Sequence, residues 1–113
     1  MSALAYLGVR QHTGCTVLAI DDFAQASRPL APRRDLANHG PGGFEWGHGG
    51  AGPAQLALAL LADHLADDDP ALRLHQSFKW SVIAPLREPR WALRAEDLEM
   101  AVAQLRRFEL GVS

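Results

Sequence analysis

Residues 43–61 read GFEWGHGGAGPAQLALALL, and this stretch decides most of the fold. The glycine-rich loop over 43–52 begins with a short aromatic segment and is followed by an almost wholly apolar run. Pro53 suits the first turn of a helix, where a missing N–H has no helical partner to lose. In the ten residues that start at Pro53, Gln55 carries the only polar side chain. The sequence therefore predicts a helix over about 53–66.

The leucines of this predicted helix lie on two opposite faces. At about 100° per residue, Leu56 and Leu60 point to one side. Leu58, Leu61 and Leu65 point to nearly the opposite side, and alanines fill the strip between the two faces. A helix that is apolar on both faces must be covered on both, so we expect it to be the buried centre of the fold.

Patterns on the amino-terminal side predict a hairpin and an extended segment. Two short β-prone runs within residues 4–20 are separated by a turn that contains Gly14, which is typical of an antiparallel hairpin. Residues 21–42 contain three prolines, which exclude a long helix, so we expect this segment to wrap the domain in an extended conformation. Residues 44–47 are expected to form a short strand or a buried anchor.

Two more helices are predicted at about 70–84 and 95–108. Asp69 is a candidate N-cap for the first of them, and Pro85 disfavours helical geometry in the residue before it. Apolar residues recur at helical spacing in the second. The alternating residues 91–93 between these helices are a candidate for a third strand.

The order of these elements, strands first and helices after, predicts an α+β fold. A short antiparallel hairpin or sheet would pack against three helices in a single compact domain over residues 1–113. A chain of 113 residues with 48% hydrophobic content is long enough for one core and short for two.

Composition and charge restrict the partners and the compartment. A net charge of −2 and a pI near 6.2 give no overall basic field for nucleic acid or an anionic membrane. A single cysteine, Cys15, excludes an internal disulfide and fits a reducing compartment. The amino terminus does not have the pattern of a signal peptide, and the longest apolar run is far shorter than the ~20 residues of a membrane span. We therefore expect a cytoplasmic protein that does not contact a membrane.

The glycine-rich loop has the spacing of a dinucleotide-binding motif. Gly47, Gly49 and Gly52 match GxGxxG, and a helix amino terminus offers free N–H groups to an anion. However, the predicted second helix follows almost directly, where a Rossmann fold requires a parallel strand. The favoured interpretation is a loop that glycines allow to pack tightly, with a positive φ at one or more of them. Anion binding by Gly47, Gly49, Gly50 and Gly52 is the alternative.

Candidate catalytic side chains also flank the loop. Glu45, His39 and His48 are candidates for an acid–base group, since the aromatic neighbours of Glu45 would desolvate its carboxyl group and raise its pKa. The favoured interpretation is that Glu45 caps N–H groups of the loop. His12 and Cys15 form an HxxC pair, but no second pair of ligands accompanies them, so we predict no metal site and no cofactor.

Arginines and aromatic residues are the remaining candidates for a binding surface. Arg33, Arg34, Arg87 and Arg90 are candidate interaction residues, although scattered surface arginines are the favoured interpretation. Aromatic side chains beside arginines can stack on bases, but in a chain with few of them we expect core positions. The aromatic residues concerned are Phe44, Trp46, Phe78, Trp80 and Trp91.

The segment 35–65, DLANHGPGGFEWGHGGAGPAQLALALLADHL, resembles a family of small bacterial and phage proteins known as a domain of unknown function. The shared signature is GFEWGxGGxGPAQLALALL, followed by an acidic turn and a helix that ends in FKW, here within 75–86. The resemblance implies no defined activity. Because such genes are similar to genes of prophages, plasmids and other mobile elements, it implies an accessory role, which includes interference with host defence.

The sequence departs from the family pattern at the loop. Gly40, Gly42, His48 and Ala51 stand where serine, threonine, tyrosine and serine are common. The loss of these hydroxyl groups argues against hydroxyl chemistry as a shared function. A loop that exchanges polar side chains and retains its glycines is used for its backbone.

Together these features predict a small non-enzymatic binding protein that contacts a protein partner. The first alternative is an anion-binding, nucleotide-binding or catalytic domain that uses the loop at 47–52. The second is a nucleic-acid binder that uses the arginines. Neither the identity of the partner nor the oligomeric state follows from the sequence.

Overall fold

The apolar run forms helix α1, Ala51–Leu65, in the computed structural model, which describes residues 3–21 and 26–111. All residues from Pro53 to Ala62 are buried, so the prediction of a helix covered on both leucine faces is confirmed. The helix begins two residues before the predicted start, and the Ala54 N–H donates to the Gly50 carbonyl (3.1 Å). Pro53 is therefore the third helical residue, where its missing N–H still has no partner to lose.

Four antiparallel strands form one sheet with the order β3-β2-β1-β4. The strands are β1 Ala3–Gln11, β2 Gly14–Asp21, β3 Ser27–Pro29 and β4 Arg90–Arg94. The hairpin of β1 and β2 and the candidate third strand, now β4, occur where the sequence predicts them. Strand β3 was not predicted, because three residues that end in a proline show no alternation. Residues 22–25 of the predicted wrap lie outside the described residues.

The sheet buries one face toward α1. Tyr6 pairs with Ala19 and Gly8 pairs with Val17 in the β1–β2 register, and all four are buried. The Tyr6 hydroxyl donates to Asp63 Oδ2 (2.7 Å) near the carboxyl end of α1, and burial, followed by the Asp63 carboxylate, raises the pKa of Tyr6. This side-chain bond connects the sheet to the central helix.

Two further helices complete the domain. Helix α2, Asp68–Phe78, has Asp67 as its N-cap, whose side chain accepts from the Asp69 N–H (3.4 Å), so the predicted N-cap at Asp69 is wrong by two residues. Helix α2 continues into a π-helical turn, Lys79–Ile83, in which the Ala84 N–H donates to the Lys79 carbonyl (2.8 Å). We call this segment the π-turn.

Helix α3, Ala95–Glu109, follows β4 without a loop. The Arg94 N–H donates to Asp97 Oδ2 (2.8 Å), and this contact holds the start of the helix. Leu98 and Val102 are the buried residues of α3. Residues 44–47 form no strand; instead Trp46 is a buried anchor whose ring meets that of Trp91 edge-on, with 5.4 Å between the centroids.

The four-stranded antiparallel sheet and the three helices confirm the predicted α+β class. Within the described residues, no helix combines the length and the apolar character that crossing a membrane requires.

Candidate functional site

The glycine-rich loop packs against the π-turn through its backbone. The Gly47 N–H donates to the Ile83 carbonyl (3.1 Å) at the end of the π-turn. Gly47 has a φ of +87°, which confirms the predicted positive φ at one of the loop glycines. A Cβ on Gly47 would lie 2.9 Å from the Leu86 carbonyl oxygen. The need for glycine here follows from the packing of the chain on itself.

A buried ammonium group lies at the centre of this contact. Lys79, the only lysine of the sequence, has a relative exposure of 7%. Its Nζ donates to the Gly49 carbonyl (2.9 Å) and lies 4.5 Å from the centroid of the Trp80 ring. The carboxylates of the described residues form no ion pair with Lys79. A carbonyl dipole and an aromatic face therefore compensate this charge.

Trp80 lies on the surface above these groups. Its relative exposure is 62%, so the predicted core position of Trp80 is wrong. The ring lies directly on Gly49, so close that a Cβ at that position would overlap it. The core position was expected because aromatic residues are few; at about 100° per residue, Trp80 lies nearly opposite the buried Phe78, in agreement with its exposure. Of the other aromatic residues, Trp46, Phe78 and Trp91 are buried and Phe44 is half-buried.

We call Gly47–Gly50 together with Lys79 and Trp80 the Trp80 surface. Sequence reasoning identified its glycines and missed the two side chains that cover them. The available signal was the single lysine followed directly by a tryptophan, in a chain whose other basic residues apart from histidine are arginines.

A histidine pair fastens the extended segment to α2. His39 Nε2 lies 2.9 Å from His75 Nε2, and His75 Nδ1 lies 2.7 Å from the Leu72 carbonyl. Because a carbonyl only accepts, His75 Nδ1 carries the proton and His75 Nε2 accepts from His39. Beside this pair, the buried amide of Gln55 accepts from the His39 N–H and donates to two carbonyls, those of Pro32 and Ala37. Thus Gln55, the one polar residue in the buried stretch from Pro53 to Ala62, positions the segment that carries His39.

This pair makes stability dependent on pH. Burial, and then the nearby His75 and Lys79, lower the pKa of His39 below its usual value of 6.5. The unfolded chain therefore binds the proton first, and the free energy of unfolding falls as the pH drops below about 6.5. We expect His39→Gln to flatten the dependence of the free energy of unfolding on pH. Urea titrations between about pH 7.5 and pH 5, the range in which an ordinary histidine titrates, measure this. His12→Gln, at an exposed turn residue, should leave it unchanged, whereas parallel curves for wild type and His39→Gln would contradict the assignment.

Glu45 makes contacts different from those predicted. Arg10 donates to Glu45 Oε1 (3.0 Å) and to the Trp46 carbonyl (2.9 Å), and its guanidinium carbon lies 4.8 Å from the centroid of the Trp46 ring. Burial alone would raise the pKa of Glu45, but hydrogen bonds from Arg10 and Cys15 outweigh it, and the pKa is lowered. The predicted rise is therefore wrong, because Arg10 approaches from a distant strand. The predicted cap is also wrong at Gly47 and Gly50, whose N–H groups bond to Ile83 and His48.

The three candidate catalytic residues have separate partners. His48 Nδ1 accepts from the Gly50 N–H (3.1 Å) within the loop, Glu45 pairs with Arg10, and His39 pairs with His75. No hydrogen bond joins any two of Glu45, His39 and His48, all of which lie in the described ranges. These three candidates are therefore not joined into an acid–base group by hydrogen bonds.

The amino terminus of α1 offers little room for a ligand. Gly50 is its N-cap, without a side-chain cap, and the first turn carries no acidic residue. Both features would favour the binding of an anion at this end of the helix. The hollow at this end measures about 30 Å³, which is close to the space for a water molecule. It is lined by Gly40, Gly42, Ala51, Gly52 and Gln55.

The four candidate arginines differ in their surroundings. Arg33 pairs with Asp35 (3.1 Å) and Asp68 (3.2 Å), and Arg34 donates to the carbonyls of Gly40 and Gly42. Arg87 and Arg90 are both exposed; Arg87 precedes β4 and Arg90 is its first residue. Two of the four candidates thus hold the extended segment in place.

Cys15 and His12 are not arranged as a metal site. Burial raises the pKa of the Cys15 thiol, next to Arg10 and Glu45, and His12 lies exposed in the β1–β2 turn. Over residues 3–21 and 26–111, no three side chains of the histidine, cysteine, aspartate and glutamate types are grouped to hold a metal.

Comparison with known proteins places the whole arrangement in one family. A family model described as "Family of unknown function (DUF6166)" matches residues 6–104, which include the loop, the π-turn and most of α3. The protein belongs to this family. The resemblance to an uncharacterised domain is therefore confirmed for DUF6166. Comparisons with curated proteins and with solved structures gave no match.

Proposed function

We propose that this DUF6166 member is a small non-enzymatic binding protein, and that the Trp80 surface contacts its protein partner. The single observation that supports the proposal is a large aromatic side chain that is 62% exposed and yet held in place from below. Tryptophan is enriched among the residues that dominate binding energy at protein interfaces. The ring rests on Gly49 and beside the Lys79 ammonium group, so its side chain would lose little conformational freedom on binding.

The way the chain builds this surface also supports binding. Lys79 is buried without a carboxylate partner among the described residues, and its Nζ is used by the Gly49 carbonyl and the Trp80 ring. A buried charge of this kind costs stability unless it is compensated. π-helical turns occur frequently at functional sites. Here the π-turn carries Trp80, whose ring lies over the loop that contains the sequence signature.

The setting of this function is part of the proposal. The resemblance to small bacterial and phage proteins supports a cytoplasmic protein of bacterial or mobile-element origin. An accessory role, such as interference with host defence through contact with a host protein, is part of this proposal. We propose no cofactor.

The alternatives have less support. For anion binding at the loop, the hollow at the amino terminus of α1 has a volume of only about 30 Å³, and Trp80 and Glu45 already cover Gly49 and Gly52. Of the four candidate arginines, only Arg87 and Arg90 would be left for nucleic-acid binding, since Arg33 and Arg34 are engaged within the chain.

Trp80→Ala should abolish recovery of the partner in affinity capture from the source organism, followed by quantitative mass spectrometry. Truncation of a central tryptophan typically costs 2 kcal/mol or more of binding free energy, roughly a thirtyfold loss of affinity. The fold should persist, because the side chain is mostly in solvent. Thermal unfolding of the variant would verify this.

Leu4→Ala is the matched control, because Leu4 is another exposed large apolar residue and lies on β1. The proposal requires a protein that wild type and Leu4→Ala recover and Trp80→Ala does not. Recovery of the same proteins by all three, or recovery of nucleic acid alone, would overturn it.

A further inference from the structure

Helix α3 exposes apolar side chains on the face opposite its core contacts. Met100 is 72% exposed and Phe108 is 70% exposed, with the exposed Gln104 midway between them. Residues four apart lie on one face of a helix, so these three form a single row. The buried residues Leu98 and Val102 lie on the other side. We call Met100, Gln104 and Phe108 the α3 row.

The α3 row borders an apolar groove. Between α3 and the π-turn lies a hollow of about 180 Å³. It is lined by Ser81, Val82, Ala101, Gln104, Leu105 and Phe108. Phe108 and Gln104 therefore belong both to the row and to the groove, and the apolar surface extends beyond the helix itself. Surfaces of this kind mark interaction sites in soluble proteins.

The charges along α3 indicate what covers this face. Its first turn contains Glu96 and Asp97, and its last turn contains Arg106 and Arg107. Glu109 at the end of the helix pairs with Arg73 of α2 (2.8 Å), so the two arginines set the charge of this end. A helix with an acidic beginning and a basic end is complementary to a second copy of itself in the antiparallel orientation, which also opposes the two helix dipoles. In the parallel orientation, like charges would meet.

We propose that α3 packs antiparallel against α3 of a second copy of this chain, with the two-fold axis at Gln104. Each residue of the helix then faces the one equally far from Gln104 on the other side. Met100 faces the partner's Phe108, and Phe108 faces the partner's Met100, a contact between sulfur and an aromatic ring that is favourable. Asp97 lies one helical turn from the partner's Arg107. The contact is isologous, as a closed dimer requires.

This dimer does not use Trp80, which belongs neither to the α3 row nor to the lining of the groove. One helix pair with its groove is a small interface, so we expect a Kd of about 50 µM and a mostly dimeric protein at about 0.5 mM. Analytical ultracentrifugation of the full chain over a dilution series should show this. Trp80→Ala should leave the equilibrium unchanged.

Disulfide trapping tests the position of the axis. In a Cys15→Ser background, Gln104→Cys places one thiol directly opposite its own copy, within the separation that a disulfide spans. We expect oxidation to give a covalent dimer at least tenfold faster than for Gln76→Cys, an exposed glutamine on α2. Equal rates for the two variants would overturn the proposed axis.

A charge pair tests the antiparallel orientation. Phe108→Glu should raise the Kd at least tenfold, because it places a carboxylate against Met100 of the other copy. Addition of Met100→Arg should restore the Kd to within about threefold of wild type through a salt bridge across the interface. Residues eight apart on one helix are too distant to pair within a chain, so rescue can arise only between copies. A monomer at every concentration, or a double variant as weak as Phe108→Glu with its helical signal intact, would overturn the proposal.

Discussion

Leu61→Ala is expected to lower the free energy of unfolding by about 2–5 kcal/mol. Leu61 is fully buried in α1, which is covered along its whole central part from Pro53 to Ala62. Loss of three carbons there removes apolar contacts and leaves a cavity that a helix enclosed on all sides cannot collapse to fill. Urea denaturation followed by circular dichroism measures the change.

Leu72→Ala provides the matched control, because it makes the same chemical change on the exposed side of α2. Its cost should stay below about 1 kcal/mol, as for most surface substitutions. Similar losses for the two variants would show that α1 is not the centre of the core.

Gly47→Ala is expected to destabilise the fold by about 2–4 kcal/mol, in the absence of any ligand. The backbone at Gly47 has a φ of +87°, a conformation that costs an ordinary residue about 1–2 kcal/mol. The added Cβ would also lie 2.9 Å from the Leu86 carbonyl oxygen, which belongs to the backbone and cannot move aside cheaply. Thermal or urea unfolding in a buffer free of phosphate measures the effect.

Gly43→Ala separates this effect from a general loss of loop flexibility. A Cβ at Gly43 meets no atom within 4 Å, and its φ is not in the positive region. We expect it to be neutral within about 0.5 kcal/mol, or slightly stabilising through the unfolded state. If both glycines tolerated alanine equally, the loop would owe its composition to something other than backbone geometry.

The local elements of this protein were predictable where one physical pattern dominates. The helix at α1 follows from two leucine faces and a glycine-rich start, and the hairpin follows from β-prone runs on either side of a turn. Both patterns depend on neighbours within a few residues, so no knowledge of the fold is needed to interpret them. Strand β3 was missed because three residues show no such pattern.

The candidate site was predictable only in its backbone. The loop glycines were identified, and Gly47 has the expected positive φ. The π-turn, by contrast, was not predicted, and it carries both the exposed Trp80 and the Lys79 side chain that contacts the loop. Residue types alone do not show the changed hydrogen-bond spacing of a π-turn, which is a property of how the helix end packs.

The sequence by itself determined the α+β class, the central helix and the geometric role of the glycine loop. These follow from periodicity and from the conformational freedom of single residues, which are local properties. Only the tertiary structure decided the partners of the polar side chains. Arg10 reaches Glu45 across 35 positions, His39 reaches His75 across 36, and Tyr6 reaches Asp63 across 57. Such pairs depend on which elements the hydrophobic core brings together, and a carboxylate takes its pKa from the charge that arrives beside it.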